Sequence, residues 1–392
     1  MVSLATRNLV RLFALVAAAA GPGFAYAAAP IIPPPPDVAA SSHLLIDHAT
    51  GRVLTETNAD EPLPPASLTK IMTVYIAATE IAAGRLSLEE EVTVSTNAWR
   101  TPGSRMFLDE RSKVPVLDVL KGVIIQSGND ASVALAEHIA GSEDAFADMM
   151  NQQAQALGMV SSQFQNATGL PAADHYTTAR DLILLTQSMI REYPELYALY
   201  SERKFKHNDI EQPNRNRLLW RDRTVDGVKT GHTDAAGYCL VSSAKRENMR
   251  LVSVVMGTDS DEARMRESQK LLSYGFRYFE TRDLYSGDEV LKTARVWYGT
   301  ADQVELGLAD PVVLTIPRGA FGDIEAELEV RKTLEAPIAA GEAVGEVTLR
   351  LHDDVIYTAP LVARETVAEG GLVGQGMDFI QLFFSRLLSL EE

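Results

Sequence analysis

Residues 64–83 read Pro-Pro-Ala-Ser-Leu-Thr-Lys-Ile-Met-Thr-Val-Tyr-Ile-Ala-Ala-Thr-Glu-Ile-Ala-Ala. Two prolines break the chain. Apolar residues then recur at Leu68, Ile71, Met72, Tyr75 and Ile76, the spacing of one helix face. The pattern predicts a helix over Ser67–Ala83 with Ser67 at its amino end, where a backbone N–H has no intrahelical acceptor. Lys70 follows one turn later on the same face. A serine hydroxyl is a weak nucleophile until something takes its proton. A lysine takes it only when burial or a neighbouring cation lowers its pKa, and Lys229 is a candidate for that second cation.

Working outward, His43–Asp47 and Arg52–Thr57 flank a His-Ala-Thr-Gly turn and predict a hairpin. Helical patterns cover about Val116–Ile125, Asp130–Ile139, Asp144–Leu157 and Thr178–Ile190, with Gly141 and Gly158 at C-cap positions. Thr224–Val228 reads as a strand, Gly237–Met256 as a hairpin turning at Lys245–Asn248, and Glu262–Glu280 as a helix. Strands, helices, strands and a last helix predict a sheet fed from both ends of the segment and covered by helices. After Tyr285 come short β-rich runs: Val290–Tyr298, Val304–Leu308, Val312–Ile316, Ile324–Arg331, Val344–Leu351 and Asp354–Val362. They predict a small all-β domain over residues 286–365, beside a larger domain over 42–285. A chain of 392 residues suits two domains.

The ends read differently. Arg7 and Arg11 precede the apolar run Leu12–Ala20, and Ala25-Tyr26-Ala27 supplies small residues for cleavage. That order predicts a secretory signal over residues 1–27, because the run is well short of the roughly 20 apolar residues that cross a bilayer. Its removal takes away two arginines and no acid, moving the net charge from −17 to −19. Residues 28–41, with Pro33–Pro36, predict a stiff, solvated spacer. In residues 366–392, Met377, Phe379, Ile380, Phe383, Phe384, Leu387, Leu388 and Leu390 fall on one half of a helical wheel. Asp378, Gln381, Ser385 and Ser389 lie opposite, with only Leu382 out of place. This predicts an amphipathic helix lying on a membrane surface; the alternative packs the stripe against the β domain. Arg386 is its one cation, so apolar burial must supply most of the attachment.

Composition narrows the function. Apolar residues make up 46% and charged residues 23%, which excludes a disordered, fibrous or polytopic membrane protein. The net charge of −17 argues against a nucleic-acid partner. The single cysteine, Cys239, excludes an intramolecular disulfide and a cysteine-rich zinc site, and a buried structural role is expected for it. The seven histidines form no His-Glu-x-x-His pattern, and His175 reads as structural.

Two further motifs follow Ser67-Leu68-Thr69-Lys70. Ser127-Gly128-Asn129 interrupts two helical patterns, so a loop there can project a hydroxyl and an amide into a cleft, although the same residues also suit a plain turn. Lys229-Thr230-Gly231 is expected to begin an edge strand leading past Gly237 to Tyr238. Gly231 would admit a substrate backbone, and the N–H of His232 could join that of Ser67 as an oxyanion donor. The triplet is the signature of penicillin-binding proteins and class A β-lactamases. The longer strings Pro64–Lys70, Gly122–Ala131, Gln212–Trp220 and Val225–Thr233 resemble the low-molecular-mass penicillin-binding proteins, the serine-type D-alanyl-D-alanine carboxypeptidases.

The resemblance implies an α/β (α+β) penicillin-binding/β-lactamase-like transpeptidase fold: helices around an antiparallel sheet, a small C-terminal all-β domain and a terminal amphipathic helix. It implies removal of the terminal D-alanine from peptidoglycan pentapeptide stems, and covalent inhibition by β-lactam antibiotics, with no cofactor and no metal. Ser67 would form the acyl-enzyme, Lys70 would be its base, and Ser127 would help move protons. Asn129, Lys229, Thr230, Gly231, His232 and Arg264 would bind substrate, with Arg266 competing with Arg264 for the carboxylate end. The implied location is the periplasmic side of the cytoplasmic membrane. A β-lactamase is the rival reading, yet no glutamate stands between Glu143 and Glu192, where its deacylating residue belongs. D,D-endopeptidases share the triplet and stay open, whereas a sensor without turnover is disfavoured by three intact motifs.

Overall fold

The structure, a computed structural model, describes residues 32–371, 374–376 and 378–381. The expected leader over 1–27, and most of the expected terminal helix, lie outside the described residues. The larger unit opens with β1 (Ser42–Asp47), β2 (Val53–Thr57), a 3-10 turn over Ala66–Thr69 and α1 (Lys70–Ala82). Next come β3 (Glu91–Thr93), α2 (Thr96–Arg100), β4 (Lys113–Pro115), α3 (Val116–Lys121) and a π-helical turn over Gly122–Gln126. Then follow α4 (Asn129–Ala140), α5 (Glu143–Ala156), α6 (Ala179–Glu192), α7 (Pro194–Tyr197), β5 (Lys204–His207), β6 (Ile210–Pro213) and α8 (Leu218–Arg221). It closes with β7 (Val225–Thr233), β8 (Gly237–Arg246), β9 (Met249–Thr258) and α9 (Asp261–Tyr278).

Five of these strands form an antiparallel sheet in the order β2-β1-β9-β8-β7. Alternation along the strands gives the sheet two apolar faces. Leu44, Ile46, Val252 and Val254 pack toward α1, α4 and α6. Leu45, Leu251 and Val255 pack toward Leu271, Leu272 and Phe276 of α9. Apolar side chains at these positions are each worth about 1.5–3 kcal/mol when fully buried, so both helical layers are held by burial.

Two expectations need correction. The Lys-Thr-Gly motif does not begin a strand that runs past Gly237; it lies inside β7, which ends at Thr233, and β8 starts afresh at Gly237 after a turn. The proline spacer is only partly solvated: the Pro33 carbonyl accepts a hydrogen bond from Tyr274 of α9, and Ile32 and Val38 pack against the core beneath that helix.

The smaller unit holds β10 (Phe279–Tyr285), β11 (Lys292–Trp297), β12 (Gln303–Gly307), β13 (Val312–Pro317) and β14 (Ile324–Val330). It continues with β15 (Leu334–Glu335), β16 (Ala343–Leu351) and β17 (Asp354–Ala363). Six strands pair in the order β14-β16-β17-β12-β11-β15, and β10 pairs with β13. Residues 279–285 therefore join the β unit although they precede the expected junction. Residues 374–376 and 378–381 are helical. Asp378 accepts from the Tyr298 N–H at 2.7 Å and Gln381 from Arg295 at 2.7 Å, while Phe379 and Ile380 stand 63% and 57% exposed. Among the described residues no helix is long and apolar enough to cross a membrane.

Candidate active site

Ser67 sits on the 3-10 turn that feeds α1, partly exposed, one residue after Ala66, whose φ is +47°. Gly169 lies against that turn. A Cβ on it would fall 1.8 Å from the Ala66 carbonyl oxygen, and its φ is +80°, so the position admits glycine alone.

Lys70 is fully buried, with Nζ 3.1 Å from Ser67 Oγ. It donates to Asn129 Oδ1 at 2.7 Å and to the Thr168 carbonyl at 2.5 Å. A neutral amine carries two N–H groups and one lone pair. When the amine is neutral and its N–H groups stay on Asn129 and Thr168, its lone pair faces the Ser67 hydroxyl. Burial, followed by the charge of Arg215, pulls Lys70 down to about 7, against Asp130 and Glu143, which raise it. Lys229, the second cation expected here, and Lys70 repel each other; Lys229 is itself held well below the usual lysine range by burial first and Lys70 second.

Ser127 ends the π-helical turn with a left-handed φ of 65°, the short reversal that lets α4 begin at Asn129. This conformation turns its hydroxyl toward β7, where the buried Lys229 donates to it at 2.9 Å and to the Thr230 carbonyl at 3.0 Å. Asn129 is fixed by donating to the Pro102 carbonyl at 2.7 Å, which leaves its oxygen for Lys70. Gly231 faces the nucleophile's turn: a Cβ there would meet the Pro65 carbonyl at 3.1 Å. His232 is exposed at the rim, its ring 4.0 Å from that of Tyr238. Arg264 lies behind β7, donating to the Gly231 carbonyl at 2.8 Å and pairing with Asp261, while the half-exposed Arg266 pairs with Glu267. Cys239, opposite Gly231 on β8, is buried and free.

Four groups escaped the sequence reading. Arg215 donates to the Gln126 carbonyl at 2.9 Å and, with Arg217, His232, Tyr238, Asp261 and Arg264, lines a cleft of about 530 Å³. The Thr168 carbonyl is a backbone acceptor and has no side-chain signature. Asp130, fully buried, accepts the N–H groups of Met106, Phe107 and Leu108 at 3.0, 3.0 and 3.1 Å and so fixes the loop beside Ser127-Gly128. Glu143 accepts the Ala167 N–H at 3.0 Å, holding the loop that carries Thr168. Asp130 and Arg215 stand inside the strings quoted above, but nothing local marks them as part of a site.

A serine beside a buried lysine whose pKa is pulled down, with a second buried lysine nearby and three arginines lining the cleft, suits acyl transfer from a substrate with an anionic end. Residues 29–260 match the family described as D-alanyl-D-alanine carboxypeptidase. The chain belongs to that family. It is accordingly a serine-type D-Ala-D-Ala carboxypeptidase, a hydrolase of the cell wall. Residues 279–369 match the penicillin-binding protein 5 C-terminal domain, which is the β unit described above. Among carboxypeptidase relatives, D-alanyl-D-alanine carboxypeptidase DacC of Escherichia coli is 45% identical over 357 residues, 89% of each chain. The crystal structure of penicillin binding protein 5 from Haemophilus influenzae superposes with a TM-score of 0.80 at 42% identity, covering 86% of this chain and 99% of that one. Penicillin-binding protein D2 from Listeria monocytogenes, in its ampicillin-bound form, gives a TM-score of 0.58 at 30% identity over 62% of this chain and 100% of that one.

Proposed function

We propose that Ser67 is the nucleophile of this carboxypeptidase and that Lys70 is its base; the 3.1 Å approach of Lys70 Nζ to Ser67 Oγ, with both Lys70 N–H groups held elsewhere, carries the assignment. Ser67 Oγ attacks the carbonyl between the two D-alanines while Lys70 Nζ takes its proton. The N–H groups of Ser67 and His232 stabilise the oxyanion. As the peptide C–N bond breaks, the leaving amine receives a proton through Ser127, whose hydroxyl is linked to Lys229. Water then hydrolyses the ester, giving a stem shortened by one D-alanine. Thr230, Lys229 and Arg215 meet the substrate carboxylate, Asn129 binds a stem amide, and Arg264 sets the field from behind the strand. β-Lactams acylate the same oxygen.

Supporting attachment to the membrane face are the exposed Phe379 and Ile380, opposite a polar side engaged with Arg295 and Tyr298. We read residues 1–27 as an export signal, 28–41 as a spacer, 42–278 as the carboxypeptidase unit, 279–365 as the β unit and 366–392 as the anchor, the junction moved from the expected 285/286 by the β10–β13 pairing. The working location is then the periplasmic side of the inner membrane.

Ser67→Ala tests the central assignment. It should abolish labelling by a fluorescent penicillin and release of D-alanine from diacetyl-Lys-D-Ala-D-Ala, with the thermal melt nearly unchanged. Labelling that persists in the folded variant would refute it.

A further inference from the structure

The Thr168 carbonyl that receives Lys70 rides on a loop closed at its base by paired backbone bonds between Gln163 and Tyr176. Within the loop, Asn166 Oδ1 accepts from the Thr168 N–H at 3.1 Å and the Gly169 N–H at 2.8 Å. From outside, Glu143 takes the Ala167 N–H, and Thr73 donates to the Ala167 carbonyl at 2.7 Å. One further side chain touches both the loop and the nucleophile's turn. His175 is buried at 7% exposure, edge-on to Phe164, with Nε2 2.9 Å from Thr69 Oγ1 and Nδ1 accepting the Gln165 N–H at 3.3 Å. Because Nδ1 accepts, the ring proton resides on Nε2 and is donated to Thr69. Thr69 is the residue immediately before Lys70 in the chain.

We propose that His175 is a positioning residue for the acylation step: by joining Gln165 at one foot of the loop to Thr69, it keeps the Thr168 carbonyl on Lys70 Nζ and keeps water away from that amine. The inference rests on the reading of Lys70 as the base. Its consequence for that base has a definite sign. Burial is the largest cause of the lowered Lys70 pKa, and the loop supplies part of the cover. A loosened loop exchanges the carbonyl for water, so an acceptor is kept while the burial is lost, and the pKa moves up toward the ordinary lysine value. The charged groups facing Lys70 stay in place: Asp130 from α4, Glu143 from α5, Arg215 after β6 and Lys229 on β7. The imidazole does not titrate in the working range, since burial alone holds it down to about 4.

The experiment measures the penicillin acylation rate of the full chain from pH 5.5 to 9.5 for wild type, His175→Phe, His175→Gln and Lys70→Arg. Phenylalanine fills the space and removes the ring's hydrogen bonds to Thr69, Gln165 and Asn166; glutamine keeps a donor near the Nε2 position. The midpoint of the rate rise should move up by about one pH unit in His175→Phe, making it roughly tenfold slower at pH 6 yet within about twofold of wild type at pH 9.5. His175→Gln should return toward the wild-type midpoint. A residue that only maintained the fold would lower the rate equally at every pH, and that result overturns the proposal, as does an unchanged profile in His175→Phe. Should His175→Phe melt early, Thr69→Val removes the same hydrogen bond from the other side, and a wild-type profile there is equally fatal. Lys70→Arg separates the two ideas: normal labelling of it defeats the base assignment, whereas an inert Lys70→Arg beside an unshifted His175→Phe defeats the positioning role alone.

Discussion

Asp130→Asn should weaken the fold and shift the base at the same time, in directions that can be worked out separately. Asp130 Oδ2 accepts the N–H groups of Phe107 and Leu108, and Oδ1 accepts those of Met106 and Ala131. Asparagine keeps one oxygen, so two backbone donors come to face an amide NH2. Each buried donor left without an acceptor costs about 1–3 kcal/mol. With some relief from movement of the 104–108 loop, the loss comes to about 3 kcal/mol, which for a unit of this size lowers Tm by roughly 6–12 °C. The second effect is electrostatic. The Asp130 charge raises the Lys70 pKa, so its removal lets burial and Arg215 pull that pKa further down. Per folded molecule, the acylation rate should therefore rise at lower pH than in wild type, the opposite of the shift in His175→Phe. Calorimetry gives the first quantity and labelling against pH below the melt gives the second. An unchanged Tm would show that the carboxylate does not hold the loop, and a midpoint moved upward would show that its charge does not act on Lys70.

Two other perturbations test other parts of the molecule. Gly169→Ala forces a methyl onto the Ala66 carbonyl in a left-handed conformation, so acylation should fall at least tenfold with a loss of about 2 kcal/mol or more in a denaturant melt; a wild-type rate would mean the two turns are not in contact. Deletion of residues 374–392 should release an active enzyme from membrane fractions that 1 M salt does not strip, and a truncated form that still sediments would place the attachment elsewhere.

Local pattern carried much of this architecture. Proline punctuation and apolar spacing located the nucleophile's helix, and the β8–β9 hairpin turned where expected, at Glu247–Asn248. The limits of β7 were missed because Lys229, Thr230, Gly231 and His232 have little strand character; their pairing with Val241, Leu240, Cys239 and Tyr238 makes the strand. Residues 279–285 were missed for a related reason: their partner strand lies after residue 311, and no window of sequence contains that register. At the site, side chains with motif spacing were legible, but the groups that tune them were not. A backbone carbonyl at Thr168 is chemically the same in any sequence, and Asp130 acts on amides more than twenty residues away in the chain.

The catalytic strand has one more consequence, for solubility. β7 is the last strand of its sheet, so its outer edge has no strand partner, while its Gly227 and Gly231 carbonyls accept from Asn216 and Arg264. The opposite edge, β2, carries one charge, Glu56, bridged to Arg180 at 2.8 Å. Across Val228–Gly231 the one charge, Lys229, is buried, and the Pro65 carbonyl and Leu68 lie over the face of the strand at Gly231. The turn that carries Ser67 should therefore also hinder the approach of a second sheet to this strand. Lesions that loosen it should show up as turbidity in concentrated samples as well as slow turnover.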